Sequence, residues 1–222
     1  MFNLSFVFYV FSVNDGMIDL LMPLGLGDED LGIGFSAAGS QGPVFDITLN
    51  QEIQEPAAKY FGNSIIKDFG ISIIMQMRSS DATLFSVVNP YEIIQLGLYF
   101  QKIENFQTRV TIFYTPDSRN SDSTDKLAEM VMPDITNQWT KVAIKVEGKK
   151  AMLYHDCKLV DSTSVKMRDS LVVEQGSTLR FGKTSGRQPQ FFNVSSCLYI
   201  SLVLTVLFDL CFIHGLSQCL TA

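Results

Sequence analysis

From Phe69 to Met77 the chain alternates. Phe69, Ile71, Ile73, Met75 and Met77 take one parity, while Gly70, Ser72, Gln76 and Arg78 take the other, with Ile74 the exception. Successive side chains of a strand point to opposite faces, so the pattern predicts a strand with one buried face. Runs at 84–88, 93–99, 108–114, 139–146, 149–155 and 178–181 continue it, rich in the Val, Ile, Phe, Tyr and Thr that suit a pleated surface. Turn signals separate them: Arg78-Ser79-Ser80-Asp81, Asn89-Pro90, Thr115-Pro116-Asp117-Ser118 and Glu147-Gly148. Val142, Ile144 and Val146 share one face before Glu147-Gly148 turns the chain back, which makes 139–155 the clearest hairpin. Many short strands at this spacing predict an all-β antiparallel sandwich or barrel. Helix is expected only at 17–24 (MIDLLMPL), with Asp15 as N-cap and Pro23 and Gly25 ending it. The polar stretch 118–124 reads as an exposed loop.

Composition narrows the class. With 222 residues, 46% apolar, 17 Phe and 7 Tyr, the chain has enough apolar surface to bury that disorder is excluded for most of it. The 15 Gly and 7 Pro show no glycine at every third place, which excludes a collagen triple helix within it. A net charge of −6 argues against nucleic acid as the main partner, since neutralising phosphates needs excess cation. Charge is uneven, however. Residues 141–190 carry ten Lys and Arg against five acids, a net +5 that leaves −11 elsewhere. Lys145, Lys149, Lys150 and Lys158 lie in or beside the predicted hairpin and form the candidate polyanion patch. The competing reading is a set of solvated lysines on outer strand faces.

The ends are apolar. The opening MFNLSFVFYVFSV has the length of a signal peptide without its positive n-region or a clear cleavage site, so a weak signal peptide and a buried strand or helix both stay open for 1–16. Residues 197–213 (CLYISLVLTVLFDLCFI) are short for a membrane span, carry Asp209 and lack flanking Lys or Arg. Four cysteines at 157, 197, 211 and 219 permit disulfides in an oxidising compartment. Asn3-Leu4-Ser5 and Asn193-Val194-Ser195 make Asn3 and Asn193 candidate N-glycosylation sites.

Catalytic chemistry finds little support. The only histidines are His155, on a strand, and His214, in the tail, which leaves a Ser-His-acid triad without a convincing base. Gly182-Lys183-Thr184 lacks the preceding glycine of a phosphate loop, Ser177 standing there. Without a C-x-x-C pair, His155 and Cys157 have no second pair of zinc ligands, and Asp28-Glu29-Asp30 reads as a solvated loop rather than a calcium loop. No catalytic residue, metal or cofactor is expected. A glycosidase on a related sandwich is a distant third reading.

Several segments resemble one family. Asp19-Leu20-Leu21 with Leu24-Gly25 resembles the opening helix of thrombospondin-like N-terminal domains, in the laminin-G-like superfamily. Lys67-Asp68-Phe69-Gly70-Ile71-Ser72 is similar to the family's "F-x-D-F-S-I" strand entrance, and Leu84-Phe85-Ser86-Val87 and Ile94-Gln95-Leu96-Gly97-Leu98 to its next two strands. The strand from Gln138 through Trp139 to Val146 resembles "W-x-x-V-A-I-x-V", and Leu153-Tyr154-His155-Asp156-Cys157 resembles "L-Y-V-D-C". Tyr114-Thr115-Pro116-Asp117-Ser118 is most similar to the corresponding stretch in collagens of types XV and XVIII. The resemblance spans about 17–192. It implies a jelly-roll β-sandwich of the laminin-G and concanavalin kind with a short N-terminal helix. It further implies a secreted, non-enzymatic extracellular-matrix module that in some members binds heparan sulfate.

After Phe191-Phe192 the likeness stops. The family's closing strand "F-x-G-x-I-x-x-L" and the cysteine that pairs with the one at the place of Cys157 have no match; 193–222 reads as a tail outside the domain, as in a truncated or alternatively spliced product. Cys211 and Cys219 are then the candidate substitutes as partners of Cys157. The leading expectation is a matrix interaction module whose partners are heparan sulfate or other matrix components. Its alternative is a membrane-tethered lectin-like domain anchored by 197–213.

Overall fold

The structure, a computed structural model, describes residues 18–20, 34–37, 43–47, 53–62, 65–77, 80–116, 123–166, 168–181 and 198–205. In chain order its elements are β1 (Ile18–Asp19), β2 (Gly34–Ala37), β3 (Pro43–Ile47), β4 (Ile53–Pro56), α1 (Ala58–Phe61), β5 (Ile65–Ile66), β6 (Phe69–Met77), β7 (Asp81–Val88) and β8 (Ile94–Ile103). Then follow β9 (Gln107–Tyr114), β10 (Lys126–Pro133), β11 (Trp139–Glu147), β12 (Lys150–His155), β13 (Lys158–Ser164), β14 (Leu171–Val172), β15 (Thr178–Phe181) and β16 (Leu198–Thr205).

The alternation read from the sequence is what sets the layers. Phe69, Ile71, Ile73, Met75 and Met77 of β6 are all buried, and Val142, Ile144 and Val146 of β11 face the same way, with Ile144 opposite Ile71 and Val142 opposite Ile73. Ala151 and Leu153 continue this face on β12. These strands belong to a sheet ordered β13-β12-β11-β6-β16-β3-β2, with β1 paired to β16. The facing sheet runs β10-β9-β8-β7-β15-β4. Leu84, Leu98, Ile112 and Phe181 from it join Phe69 and Leu153 in one buried cluster. Two antiparallel sheets closing on a common core make the β-sandwich that the pattern predicts.

Both tight hairpins of the larger sheet follow turn chemistry. Glu147 pairs with Lys150 across Gly148-Lys149, and Gly148 has φ 54° at the first central position, as a type II′ turn requires. His155 pairs with Lys158 across Asp156 and Cys157, both at positive φ as in a type I′ turn. Asp156 tolerates it by accepting from Lys141 N at 3.0 Å.

The structure departs from expectation in several places. Ile18 and Asp19, expected within a helix, pair with Leu204 and Val203 as strand; Met17 and 21–24 lie outside the described residues. An isolated helix of two turns is marginal, so pairing with a sheet outcompetes it. Leu198–Thr205, read as part of the tail and of the alternative membrane anchor, is an eight-residue strand between β6 and β3. Residues 198–205 are therefore strand rather than helix, and among the described residues no helix is long and apolar enough to cross a membrane. β10 and β13 had no counterpart among the expected strands. The opening segment 1–16 lies outside the described residues.

Candidate functional site

One end of the sandwich is closed by a ribbon of two short strands, β5 and β14, in which Ile66 lies opposite Leu171 and Ile65 opposite Val172. Period two sends the first pair into the core and leaves the second pair at the surface. Tyr114, the last residue of β9, ties this ribbon to the smaller sheet. Its hydroxyl lies 2.6 Å from the Ile66 carbonyl and 2.9 Å from that of Asp169, sharing its one proton between them, and accepts from Leu171 N at 2.9 Å. Phe69 of the larger sheet stacks on the Tyr114 ring, 5.9 Å between centroids.

Burial pushes the Tyr114 phenol up to about 12, with Leu171 N–H and Arg168 pulling it back. Tyr99 is raised further, first by burial and then by its bond to Asp81. A folded-state value above the unfolded one of about 10 means the neutral phenols stabilise fully below that pH and cease to as pH rises through the folded value. An ultraviolet titration should therefore show two phenols that ionise only above the ordinary range, together with loss of structure. Titration of every tyrosine in the ordinary range with the fold intact would contradict this burial.

Arg168 ties the same ribbon to the larger sheet. Its side chain is only 5% exposed. Nε and Nη2 donate to the Lys67 carbonyl, Nη1 to the Gly148 carbonyl at 2.6 Å and Nη2 to Asp68 Oδ1 at 2.8 Å. The guanidinium also stands over the Tyr114 ring, 5.7 Å from its centroid. Asp68 Oδ1 accepts a second bond, from Gly148 N at 2.9 Å. A fork of donors is needed to hold two carbonyls and a carboxylate at once, which arginine supplies and lysine does not.

This clamp gathers cations. Lys149 sits in the Gly148 turn, Lys150 begins β12, and Lys67 precedes Asp68. Val165 N bonds to Lys149 O at 2.9 Å, which sets Lys166 beside the turn. All four are exposed, and none has an ion-pair partner among the described residues. Lys145 lies on the outer face of β11 but is bound to Glu147 at 3.0 Å. Of the nearby acids, Asp68 is held by Arg168 and Glu147 by Lys145, leaving Asp169.

The residues named from the sequence thus divide. Lys145, Lys149 and Lys150 meet at the Gly148 end, whereas Lys158 stands at the opposite end of β12, across the turn from His155. Lys67 and Lys166 join the cluster unforeseen, because their proximity to Gly148 depends on Arg168 and on one backbone bond. Cys157 is disulfide-bonded; Cys197, Cys211 and Cys219 lie outside the described residues, as do Asn3 and Asn193. Among the described residues no group of three metal-ligating side chains occurs.

The neighbouring loop, 89–93, is built differently. Asn89 is nearly fully buried, and its Oδ1 accepts from Tyr91 N at 3.0 Å and Ile93 N at 2.9 Å. Glu92 adopts φ 65°, and its two carboxylate oxygens receive both Arg180 Nη atoms at 3.0 and 2.9 Å. Beneath, Gln95 is fully buried; it accepts from Ser177 Oγ at 2.7 Å and donates to the Val172 carbonyl at 3.4 Å. The network fixes the loop against the ribbon, and Tyr91 is left 60% exposed on top.

No family model matches the chain. Among solved structures it is similar to a botulinum neurotoxin type C chain, from a toxin that depends on interaction with two ganglioside molecules to enter cells (TM-score 0.56, 15% identity, 97% of this chain and 51% of that one). It is similar also to the serotype D ligand-binding domain solved with N-acetylneuraminic acid (0.55, 12%, 96% and 50%). A heptameric SAP-like pentraxin from Limulus polyphemus follows (0.51, 11%, 78% and 76%). The chain spans about half the length of the toxin chains it matches. At these identities the likeness establishes the fold, a jelly-roll β-sandwich.

Proposed function

We propose that this chain is a non-enzymatic, extracellular glycan-binding module whose ligand is an acidic glycan of the heparan sulfate kind. The observation that carries the reading is the cluster of Lys67, Lys149, Lys150 and Lys166, exposed and without ion-pair partners among the described residues, around a turn held rigid by a buried arginine. Cations on a fixed scaffold lose little ordering entropy when they meet a polyanion, and a surface of this sign on a chain of net −6 orients the encounter. Sugar ligands on two proteins of the same fold support a carbohydrate partner. The resemblance to matrix collagens supports placement in the extracellular matrix, and the bonded Cys157 is in keeping with an oxidising compartment.

Chromatography of the full chain on immobilised heparin tests this. Retention should fall as salt rises, because exposed charges are screened within about 10 Å at 0.1 M. The Lys149→Ala, Lys150→Ala double variant should elute at lower salt, its dependence of log affinity on log salt shallower by roughly 2 if each lysine releases one counterion. Lys158→Ala should elute like the unaltered chain, since Lys158 lies at the far end. Absence of retention at low salt, or a double variant that elutes unchanged, would overturn the proposal.

A further inference from the structure

We infer that the bound glycan crosses the whole end of the sandwich, its charged sugars on the lysines around Gly148 and an uncharged sugar stacked against Tyr91. The inference rests on the acidic-glycan reading above and adds a second subsite to it.

Tyr91 contributes little to the core, since it is 60% exposed. Yet the loop beneath it is over-determined. Besides the two bonds to Asn89 Oδ1, Asn89 N donates to Ile93 O and Glu92 N to Asn89 O, each at 3.0 Å. Glu92 keeps a left-handed backbone that a non-glycine residue adopts at a cost, and it is held there by the paired Arg180 fork. A rigid aromatic ring at the surface is the side chain that binds with least loss of freedom, and tyrosine is among the types that dominate binding surfaces.

Hydrogen bonds link the Tyr91 loop to the ribbon, and the ribbon exposes an apolar step on the way to the lysines. Asn89 Nδ2 donates to Glu174 at 3.4 Å, and Gln95 joins Glu174 to the Val172 carbonyl. Val172 and Ile65, cross-strand partners at 50% and 47% exposure, form one apolar step on the ribbon. Lys67 follows two residues beyond Ile65, and Arg168 ties its carbonyl to that of Gly148. The loop bearing Tyr91 belongs to the smaller sheet and the Gly148 turn to the larger. A ligand reaching both spans the gap of about 10 Å between packed sheets, which calls for several sugar rings.

Charge divides the two halves. On the side of Tyr91, Glu92 and Arg180 form a paired, net-neutral unit, and Glu174, which accepts from Asn89 and Gln95, adds a carboxylate. Sulfate groups are therefore disfavoured at Tyr91 and favoured at the lysines. The ligand that fits is an oligosaccharide whose sulfated segment adjoins an unsulfated one, the uncharged ring laying its C–H face on the phenol and on Val172.

Calorimetric titration of the full chain with two probes tests this: a sulfated heparin oligosaccharide, and the same oligosaccharide extended by unsulfated disaccharides. The unaltered chain should bind the extended probe more tightly. Tyr91→Ala should weaken the extended probe about tenfold, leave its salt dependence unchanged and leave the short probe unchanged. Tyr91→Phe should retain the preference, since stacking needs the ring and not the hydroxyl. Equal thermal midpoints for all variants are expected from an exposed position. If Tyr91→Ala binds both probes as the unaltered chain does while the lysine variant is weakened, the Tyr91 subsite is wrong and the acidic-glycan reading stands. If neither probe binds in a salt-dependent way, both fall.

Discussion

Arg168→Ala should lower the stability of the whole domain by about 3 kcal/mol, because it removes charge-assisted bonds to two carbonyls and a carboxylate and the cation over Tyr114. For a chain of this size that corresponds to a fall in thermal midpoint of roughly 6–12 °C. Equilibrium urea unfolding checks it, with a lower midpoint and unchanged slope expected. Arg168→Lys should recover little, since one ammonium cannot serve Lys67 O, Gly148 O and Asp68 together. Retention on heparin should drop in both variants at temperatures where they remain folded, although Arg168 is 5% exposed and offers almost nothing to a ligand directly. Loss of retention through a buried residue separates a positioned cluster from a loose scatter of surface lysines. Unaltered retention in a destabilised Arg168→Ala would show that the lysines act without the clamp.

That clamp also explains why the sequence revealed the sheets better than the site. A period of two is a local signal, and in β6, β11 and β12 it coincides with one buried face, so these strands are legible within nine residues. The turn at Gly148 is legible for the same reason, its positive φ calling for glycine. Lys67 and Arg168, in contrast, are 101 residues apart, and no local pattern announces that one side chain will tie the other's carbonyl to a turn. Lys158 misleads in the opposite way: it is near Lys150 along the chain, yet the strand between carries it to the far end.

The strands that escaped notice have physical reasons too. β10 reads KLAEMVMP, in which Ala128, Met130 and Met132 do face inward, but alanine, methionine, lysine and glutamate are poor strand formers and mask the alternation. β13 reads KLVDSTS and is largely exposed, as an edge strand with polar residues is. The apolar run containing β16 is ambiguous for another reason. An interior strand and a membrane segment both read as unbroken apolar sequence, and only pairing with β6 and β3 tells them apart.

The edges supply the second large effect. β10 and β13 are the terminal strands of their two sheets and lie beside each other along one side of the sandwich. Terminal strands leave backbone groups unpaired and invite pairing with other chains. Asp161 answers for both: Oδ2 accepts from Val131 N of β10 at 2.8 Å, and Oδ1 accepts from Ser162 N of its own strand at 2.7 Å. One carboxylate thus occupies an edge donor in each sheet. Asp161→Ala should cost about 1.5–3 kcal/mol, the range for hydrogen bonds to a charged group, and free both donors at once. Leu159 and Val160 stand exposed on the same strand, at 53% and 38%, so the freed edge carries apolar side chains that favour association. Light scattering of Asp161→Ala should show concentration-dependent oligomers where the unaltered chain shows none. Asp161→Asn, whose carbonyl oxygen still accepts one bond, should fall between the two. An Asp161→Ala chain that unfolds earlier but stays in the same association state as the unaltered chain would assign the carboxylate to stability alone and remove its role as a guard of the edges.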